Sequence, residues 1–174
     1  MRTMIFDTER LELKPTSTED AVFIHKLFNT PGWIKYIGDR KIYTVAEAEA
    51  YIKTKITPQF KKLGFGNYTV IRKEDGIKIG SCGLYDRDGL KGIDIGFAFL
   101  PEYANKGYAF EATCRLMEIA FQEFQLNDII AITSKENLSS QKLLLKLGLR
   151  QTDNVILPND TKELLLYSIS KTPS

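Results

Sequence analysis

Residues that build metal centres and disulfide frameworks are scarce in this 174-residue sequence, which has two cysteines, Cys82 and Cys114, and a single histidine, His25. Two cysteines make neither a disulfide framework nor a metal cluster. We therefore predict no metal site, and we expect both thiols to lie in the hydrophobic core. His25 lies on a predicted helix whose apolar face is sufficient to explain why the helix forms. We therefore interpret this histidine as structural.

Strong net charge and long apolar runs are also missing. Lysine and arginine number 24 against 22 acidic residues, and the net charge of +2 is too small for the basic field of a nucleic-acid-binding domain. No apolar run approaches the roughly 20 residues of a membrane span. The N-terminus carries Asp7, Glu9 and Glu12 and does not resemble a signal peptide. We expect a single cytoplasmic domain, residues 1–174, that binds neither nucleic acid nor membrane and is a monomer or homodimer.

Hydrophobic periodicity predicts strands and helices along the whole chain. The strand "RLELK" comes first, and Ser17 or Thr18 can cap the helix that follows. The dipeptide Asp75-Gly76 predicts the turn of a hairpin. The predicted elements are strand 10–14, helices 17–29 and 44–56, hairpin 67–86, strand 93–100, helix 107–124, strand 128–133, helix 137–148, and strands 149–156 and 162–170.

The order of these elements, β-α-α-β-β-β-α-β-α-β-β, predicts an α+β domain. The strand–helix–strand unit of residues 93–133 requires its two strands to run parallel, whereas the hairpin strands before it are antiparallel. We therefore expect a mixed central sheet of about seven strands with helices on both faces.

The segment "LPEYANKGYAFE", residues 100–111, leaves a predicted strand and enters a long helix through a short basic turn. A helix start presents unpaired N–H groups and the positive end of its dipole, and it can therefore bind an anion. Gly107 tolerates a positive φ and the close approach of a ligand, Ala109 is small, and Lys106 adds positive charge. The alternative is a tight connection in which the glycine serves only the turn. The P-loop and GxGxxG patterns are both absent.

Together with "NLSSQKLLLKLGL" at residues 137–149, this turn resembles the GNAT superfamily of acyl-CoA-dependent N-acyltransferases. The "TERLELKP" opening, "LPEYxxKGYAxEA" and "NxxSxxLLxKLGL" are similar to its ribosomal-protein alanine acetyltransferase (RimJ/RimL-like) branch, over about residues 8–170. The resemblance implies the GNAT fold and acetyl-CoA as cosubstrate. One position of the loop departs from the family, because Ala104 replaces the usual Gln or Arg. That change removes one long polar side chain from the site but leaves the backbone N–H groups of the loop in place.

The resemblance assigns the cofactor site to this loop and to the strand before it. The coenzyme A pyrophosphate would lie on the N–H groups of the loop and the pantetheine arm along strand 93–100, with a backbone N–H near Phe97 as oxyanion donor. Gly96 and Ala98 would leave room for the thioester, or they would serve close packing. The implied cofactor-binding residues are Phe97, Phe99, Asn105, Lys106, Gly107, Tyr108, Ala109 and Asn137.

Acyl transfer also benefits from an acid that protonates the departing thiolate. The family commonly uses a tyrosine on the last helix, and Leu144 occupies that position here. The branch resemblance suggests Ser140 instead, and we group Asn137 with it as a candidate catalytic residue. The alternative is that Ser140, at the third helical position after the Asn137 cap, serves only the helix start.

The amine must lose a proton before it attacks, and Asp94 and Glu111 are the candidate bases. We favour Asp94, beside the expected thioester, or a water chain without a single base. Asp94 could also simply pair with a basic neighbour. For Glu111, an i,i+4 pair with Arg115 is a sufficient structural explanation.

The loop between the first two helices contains Trp33, Tyr36 and Tyr43, which would line the acceptor groove or cap the core. We expect transfer of the acetyl group of acetyl-CoA to a primary amine through a tetrahedral intermediate, with a peptide or protein N-terminus as the favoured acceptor. Small-molecule amines, such as polyamines or aminoglycosides, are the alternative acceptors. A non-catalytic acyl-CoA-binding module and an unrelated α+β interaction domain are the rival functions.

Overall fold

The computed structural model describes residues 4–172, so the ends of the predicted domain, residues 1–3 and 173–174, lie outside the described part. Eight strands form one sheet in the order β1-β2-β3-β4-β5-β6-β8-β7. The strands are β1 (Phe6–Asp7), β2 (Leu11–Pro15), β3 (Asn67–Arg72), β4 (Lys78–Tyr85), β5 (Asp94–Phe99), β6 (Asp128–Thr133), β7 (Arg150–Ile156) and β8 (Glu163–Ser170). The helices are α1 (Ala21–Phe28), α2 (Pro31–Tyr36), α3 (Val45–Tyr51), α4 (Thr57–Leu63), α5 (Tyr108–Gln122) and α6 (Leu138–Lys146).

The predicted α+β class with a mixed sheet is confirmed, with additions in the N-terminal half. The two-residue strand β1 pairs antiparallel with β2, which raises the strand count from about seven to eight. The loop before the second predicted helix contains the short helix α2, which starts with Pro31 after the cap residue Thr30. The second predicted helix is α3, and it continues through a π-helical turn, Ile52–Ile56, into α4.

The parallel strands β5 and β6 pair over only a short stretch. Their register joins Asp94 to Ile130, and the Ile130 N–H donates to the Ile93 carbonyl at 3.0 Å. Beyond this point, β6 pairs only with β8 within the described residues. Residues 95–99 of β5 therefore have no described strand beside them on the β6 side. The sheet is therefore open at the end of β5 that leads into α5.

Hydrophobic clusters lie on both faces of the sheet. Helix α5 covers one face with side chains such as Leu116, and α1 and α3 cover the other with side chains such as Ile24. Cys82 is buried in the first cluster, as predicted. Cys114 is exposed, so the prediction that both thiols lie in the core was wrong for this residue. Cys114 and Glu118 are one helical turn apart on the side of α5 that faces away from the sheet.

Three smaller expectations concern His25, membrane spans and metals. The His25 Nε2 atom lies 3.1 Å from the Tyr43 carbonyl oxygen, a contact that suits a structural histidine. No helix within residues 4–172 has the length and apolar character needed to cross a membrane. The same residues contain no group of three or more His, Cys, Asp or Glu side chains that could hold a metal ion.

Candidate active site

A cavity of about 530 Å³ lies where β5 and β6 diverge. It is bounded by the end of β5, the loop into α5, one side of α6 and the short helix α2. The lining includes seven of the eight predicted cofactor-binding residues: Phe97, Phe99, Asn105, Gly107, Tyr108, Ala109 and Asn137. Lys106 is not part of the lining.

The loop before α5 has a backbone shape suited to an anion. Asn105 and Gly107 both have left-handed φ angles, 60° and 81°, and α5 begins directly after Gly107. The first N–H of this region with a protein acceptor is that of Glu111, which donates to the Gly107 carbonyl at 3.0 Å. Within residues 4–172, none of the six N–H groups from Asn105 to Phe110 has a protein acceptor. Free N–H donors at a helix start can bind an anion such as pyrophosphate.

Glu111 has a different partner from the one predicted. Its carboxylate accepts hydrogen bonds from the Arg10 Nε at 2.7 Å, from the Arg10 backbone N–H at 2.9 Å and from the Thr8 hydroxyl. Arg115 instead pairs with Glu118 at 3.2 Å, so the predicted Glu111–Arg115 pair was wrong. Burial acts to raise the pKa of Glu111, but the hydrogen bonds from Thr8 and Arg10 and the charge of Arg10 outweigh it and hold the pKa below its usual value.

The free edge of β5 presents backbone groups to the cavity. The Leu100 N–H donates to the Ile79 carbonyl, on the β4 side, while the Ile93 carbonyl accepts from β6. Because backbone groups alternate sides along an antiparallel strand, the N–H and C=O groups of Phe97 and Phe99 point to the β6 side, where the sheet is open. They can therefore pair with an extended ligand or with an oxyanion.

Gly96 and Ala98 differ in what surrounds them. The Tyr85 ring lies against Gly96, where an added Cβ would come within 2.9 Å of a ring carbon. The small residue at position 96 thus serves close packing, the alternative that the sequence left open. Ala98 does line the cavity.

The start of α6 forms another wall of the cavity. The Asn137 side-chain oxygen accepts the Ser140 N–H at 3.2 Å, so Asn137 caps the helix as expected. Ser140 also lines the cavity, and within the described residues its hydroxyl has no hydrogen-bond partner. Leu144 is buried in the core with 1% of its surface exposed, whereas its neighbour Leu143 lines the cavity.

The structure does not bring Asp94 to this cavity. The Asp94 side chain is almost fully buried at the start of β5, and its two carboxylate oxygens lie 3.0 and 3.1 Å from the Arg87 Nε. Burial raises the pKa of Asp94, and the charge and hydrogen bonds of Arg87 oppose that shift. The carboxylate thus has the basic partner that the sequence analysis named as the alternative to catalysis.

The charged side chains that line the cavity in the described part of the chain are Lys142 and Lys146, both on α6. The Lys146 Nζ lies 4.1 Å from the centre of the Phe110 ring, at the edge of the anion-binding loop. No Asp, Glu or His among residues 4–172 lines the cavity. The electrostatic character of the site therefore favours an anionic ligand and offers no carboxylate to a cationic one.

The far end of the cavity is aromatic. Trp33 and Tyr36 from α2 line it, and the Trp33 ring stacks on Phe28 with ring centroids 4.1 Å apart. Tyr43 does not line it, because that side chain is largely exposed and donates a hydrogen bond to Asp39 at 3.2 Å. Two of the three predicted acceptor residues are therefore brought together.

Sequence reasoning missed several of the lining residues. Lys142 and Lys146 could have been found from their spacing, because positions 139, 142, 143 and 146 follow one helical face that ends at the cavity. Thr30, Gly32 and Ile37 belong to the short helix α2 and its cap, which sequence periodicity did not reveal.

Comparison with known proteins assigns a family model to most of the chain. The model described as "Acetyltransferase (GNAT) domain" matches residues 10–150. The uncharacterized N-acetyltransferase YnaD of Bacillus subtilis is 29% identical over 148 residues, which cover 85% of this chain and 84% of YnaD. The uncharacterized N-acetyltransferase p20 of Bacillus licheniformis is 31% identical over 146 residues, covering 83% of this chain and 81% of p20.

Solved structures share the same architecture. A GNAT-family acetyltransferase from Bacillus anthracis is 26% identical, with a TM-score of 0.78 and coverage of 96% and 98% of the two chains. The ribosomal L7/L12 alpha-N-protein acetyltransferase RimL, solved with coenzyme A, has a TM-score of 0.80 at 13% identity, with 97% of each chain covered. The microcin C7 self-immunity acetyltransferase MccE, solved with acetyl-CoA and AMP, has a TM-score of 0.79 at 14% identity, with 94% of each chain covered.

Proposed function

The chain belongs to the GNAT acetyltransferase family and is an acetyl-CoA-dependent N-acetyltransferase, and from that premise we propose that its acceptor is the N-terminal amine of a peptide or protein. Family membership decides against an unrelated interaction domain and against a non-catalytic module. The observation that carries the choice of acceptor is the composition of the cavity, which combines an anion-binding loop, a free strand edge and an aromatic far end without any carboxylate in the described residues.

The acetyl-CoA site would extend from the loop to the free edge of β5. The N–H groups of Asn105 to Phe110 would bind the pyrophosphate, and Lys142 and Lys146 would add positive charge beside it. The Phe97 carbonyl and the backbone groups of Phe99 would pair with the pantetheine arm as an added strand would. This arrangement directs the thioester towards Ala98 and the aromatic end of the cavity.

The chemistry would be a direct transfer. The acceptor nitrogen attacks the thioester carbonyl carbon, and the C–N bond forms as the carbonyl oxygen becomes an oxyanion. The Phe97 N–H is free to stabilise that oxyanion. When the C–S bond breaks, Ser140 would donate its hydroxyl proton to the thiolate and recover a proton from the amine through water.

The absence of a carboxylate from the lining of the described cavity favours an acceptor that loses its proton easily. A free α-amine has a pKa of roughly 8, against about 10.4 for a lysine side chain, so roughly a tenth of an α-amine is neutral at pH 7 and well under a thousandth of a lysine. Polyamines and aminoglycosides carry several positive charges, and this lining has only lysines to meet them. These considerations support a peptide N-terminus over both alternatives.

The RimJ/RimL-like branch is part of the same proposal. It is supported by the "TERLELKP" opening and by Ser140 in the last helix motif. Fold similarity does not separate the acceptor classes, because RimL and MccE have nearly equal TM-scores of 0.80 and 0.79. The branch assignment therefore depends on the motifs.

A panel of acceptors tests the proposal. Thiol release from acetyl-CoA is measured with a lysine-free peptide that has a free N-terminus, an N-blocked peptide with one lysine, a polyamine and an aminoglycoside, and mass spectrometry locates the acetyl group. We expect the free N-terminus to be acetylated with the highest kcat/KM. Preferential acetylation of the blocked lysine peptide or of either polycation would overturn the choice of acceptor.

A further inference from the structure

We propose that Arg10, in the turn before β2, is a positioning residue that fixes the orientation of the Lys106–Gly107 peptide group in the anion-binding loop. This inference rests on the proposed pyrophosphate site at residues 105–110. Arg10 is about a hundred residues away in sequence, and its guanidinium does not line the cavity. Arg10 instead contacts the loop from the side that faces away from the cavity.

The contacts of Arg10 join three parts of the loop region. Its Nη1 donates to the Lys106 carbonyl oxygen at 3.1 Å, and its Nε donates to the Glu111 carboxylate at 2.7 Å. The guanidinium carbon lies 4.3 Å from the centre of the Tyr108 ring. A single planar group therefore contacts residues 106, 108 and 111, on both sides of the helix start.

The Arg10 backbone is itself held in place. Its N–H donates to Glu111 at 2.9 Å, and its carbonyl accepts from the Lys73 N–H at 2.9 Å, next to the end of β3. The side chain thus extends from a point anchored to the sheet and to α5. Because a guanidinium has several donors in a rigid plane, it can bond to Glu111 and the Lys106 carbonyl at once.

The effect on the ligand follows from peptide geometry. In a trans peptide the C=O and the next N–H point in opposite directions. When Arg10 draws the Lys106 carbonyl towards itself, the Gly107 N–H points away from Arg10 and towards the cavity. A rotated peptide would instead direct a carbonyl oxygen at the pyrophosphate, which is repulsive.

Gly107 makes such an external restraint necessary. Glycine accepts positive and negative φ with similar ease, so position 107 itself does not prevent rotation of the preceding peptide group. The observed φ of 81° has no Cβ to lock it, and the nearest heavy atom to a Cβ built there is the Arg10 Nη2, at 3.3 Å. Arg10 is therefore the described side chain placed to hold the loop in its binding orientation.

The test compares Arg10→Ala and Arg10→Lys with Arg115→Ala. Arg115 is a matched control, because it also ties α5 to the N-terminal segment, through the Asp7 carbonyl at 3.1 Å, and does not contact the loop. Coenzyme A affinity is measured by calorimetry, and kcat/KM is measured with acetyl-CoA and with acetyl-pantetheine, which has no pyrophosphate. Thermal unfolding of each variant reports its stability.

We expect Arg10→Ala to weaken coenzyme A binding about tenfold or more, the usual size for loss of a hydrogen bond from a charged group. The coenzyme A affinity of Arg10→Lys should be intermediate, since a single ammonium group replaces the several donors of the planar guanidinium. With acetyl-pantetheine, Arg10→Ala should lose no more activity than Arg115→Ala. Unchanged coenzyme A affinity, or equal losses with both thioesters, would overturn the role of Arg10.

Two glycine variants distinguish a failure of the Arg10 role from a failure of the pyrophosphate site itself. Gly107→Val should abolish tight coenzyme A binding, whereas Gly64→Val should not, because Gly64 has the same φ of 81° but lies at the end of α4. If Gly107→Val binds weakly and Arg10→Ala binds normally, only the role of Arg10 is wrong. If both bind normally, the pyrophosphate site itself is wrong.

Discussion

Ser140 illustrates at the scale of one residue how a structural and a chemical role can occupy the same position. Its backbone N–H is the group that Asn137 caps, at 3.2 Å, while its hydroxyl lines the cavity without a partner among the described residues. The two roles therefore use different atoms. A substitution that removes only the hydroxyl can separate them.

We expect Ser140→Ala to lower kcat by roughly 10²–10⁴-fold, the usual contribution of a general acid, with little change in the KM for acetyl-CoA. The variant keeps the N–H that Asn137 caps, so the helix start is preserved. Ser139→Ala is the control, because Ser139 also lines the cavity one residue earlier on the same helix. Steady-state kinetics check the prediction. A kcat equal to that of Ser139→Ala would leave Ser140 with its helix role alone.

At the scale of elements, the sequence predicted what local periodicity determines. The individual strands and helix of residues 93–133 and the Asn137 cap follow from patterns within a few residues, and the parallel orientation of the two strands follows from the helical connection between them. The failures involve contacts between distant segments. Glu111 was predicted to pair with Arg115 on its own helix, but it binds Arg10, whose backbone N–H also donates to it.

The opening of the sheet between β5 and β6 was beyond sequence reasoning for a similar reason. Residue types show that two strands are parallel, but the number of residues over which they pair depends on backbone geometry. In this fold the pairing ends after one register position, Asp94 with Ile130. Trp33 and Tyr36 were predicted to line the acceptor groove, but the helix α2 that carries them was missed, because it has six residues and no buried side chain that would reveal a periodic pattern.

The ion pair at the start of β5 gives an element-scale prediction that also tests catalysis. The Arg87 side chain keeps 32% of its surface exposed, so losing its carboxylate partner should cost less than breaking a fully buried ion pair, about 2 kcal/mol, which corresponds to a Tm decrease of roughly 4–8 °C in a domain of this size. We expect Asp94→Asn to show such a decrease, measured by calorimetry, because it leaves Arg87 without its partner at the junction of the β4–β5 loop and β5.

The kinetics of Asp94→Asn discriminate between the two roles of this carboxylate. As a structural partner of Arg87, the residue should leave kcat within a few-fold of wild type at temperatures well below the Tm. A large loss of kcat in a variant of unchanged Tm would instead restore Asp94 as the base. Arg87→Gln is the matched variant, since it removes the other partner of the same pair and keeps the Asp94 carboxylate.

At the scale of the whole molecule, the site is assembled from both halves of the chain. The aromatic end comes from α2 near the N-terminus, and the anion-binding end comes from α5 and α6 in the second half. In the proposed site, the charges on this composite surface would decide which amine can react. Since the charged lining residues in the described part are lysines, the acceptor amine meets no carboxylate there that would remove its proton.

The pH dependence of the reaction should therefore follow the acceptor. The reactive neutral fraction of an α-amine with a pKa of roughly 8 is about 1% at pH 6, about 10% at pH 7 and about half at pH 8. We expect kcat/KM for a peptide with a free N-terminus to rise about tenfold per pH unit below pH 7 and to level off above about pH 8.

The measurement uses saturating acetyl-CoA, with thermal unfolding recorded at each pH to exclude loss of the folded state. A peptide whose N-terminal amine has a lower pKa should shift the whole profile to lower pH, because the titrating group belongs to the substrate. A profile that levels off below pH 7 for both peptides would contradict this expectation, since it would require a base on the protein. A rate that continues to rise beyond pH 9 would point to an acceptor with the pKa of a lysine side chain.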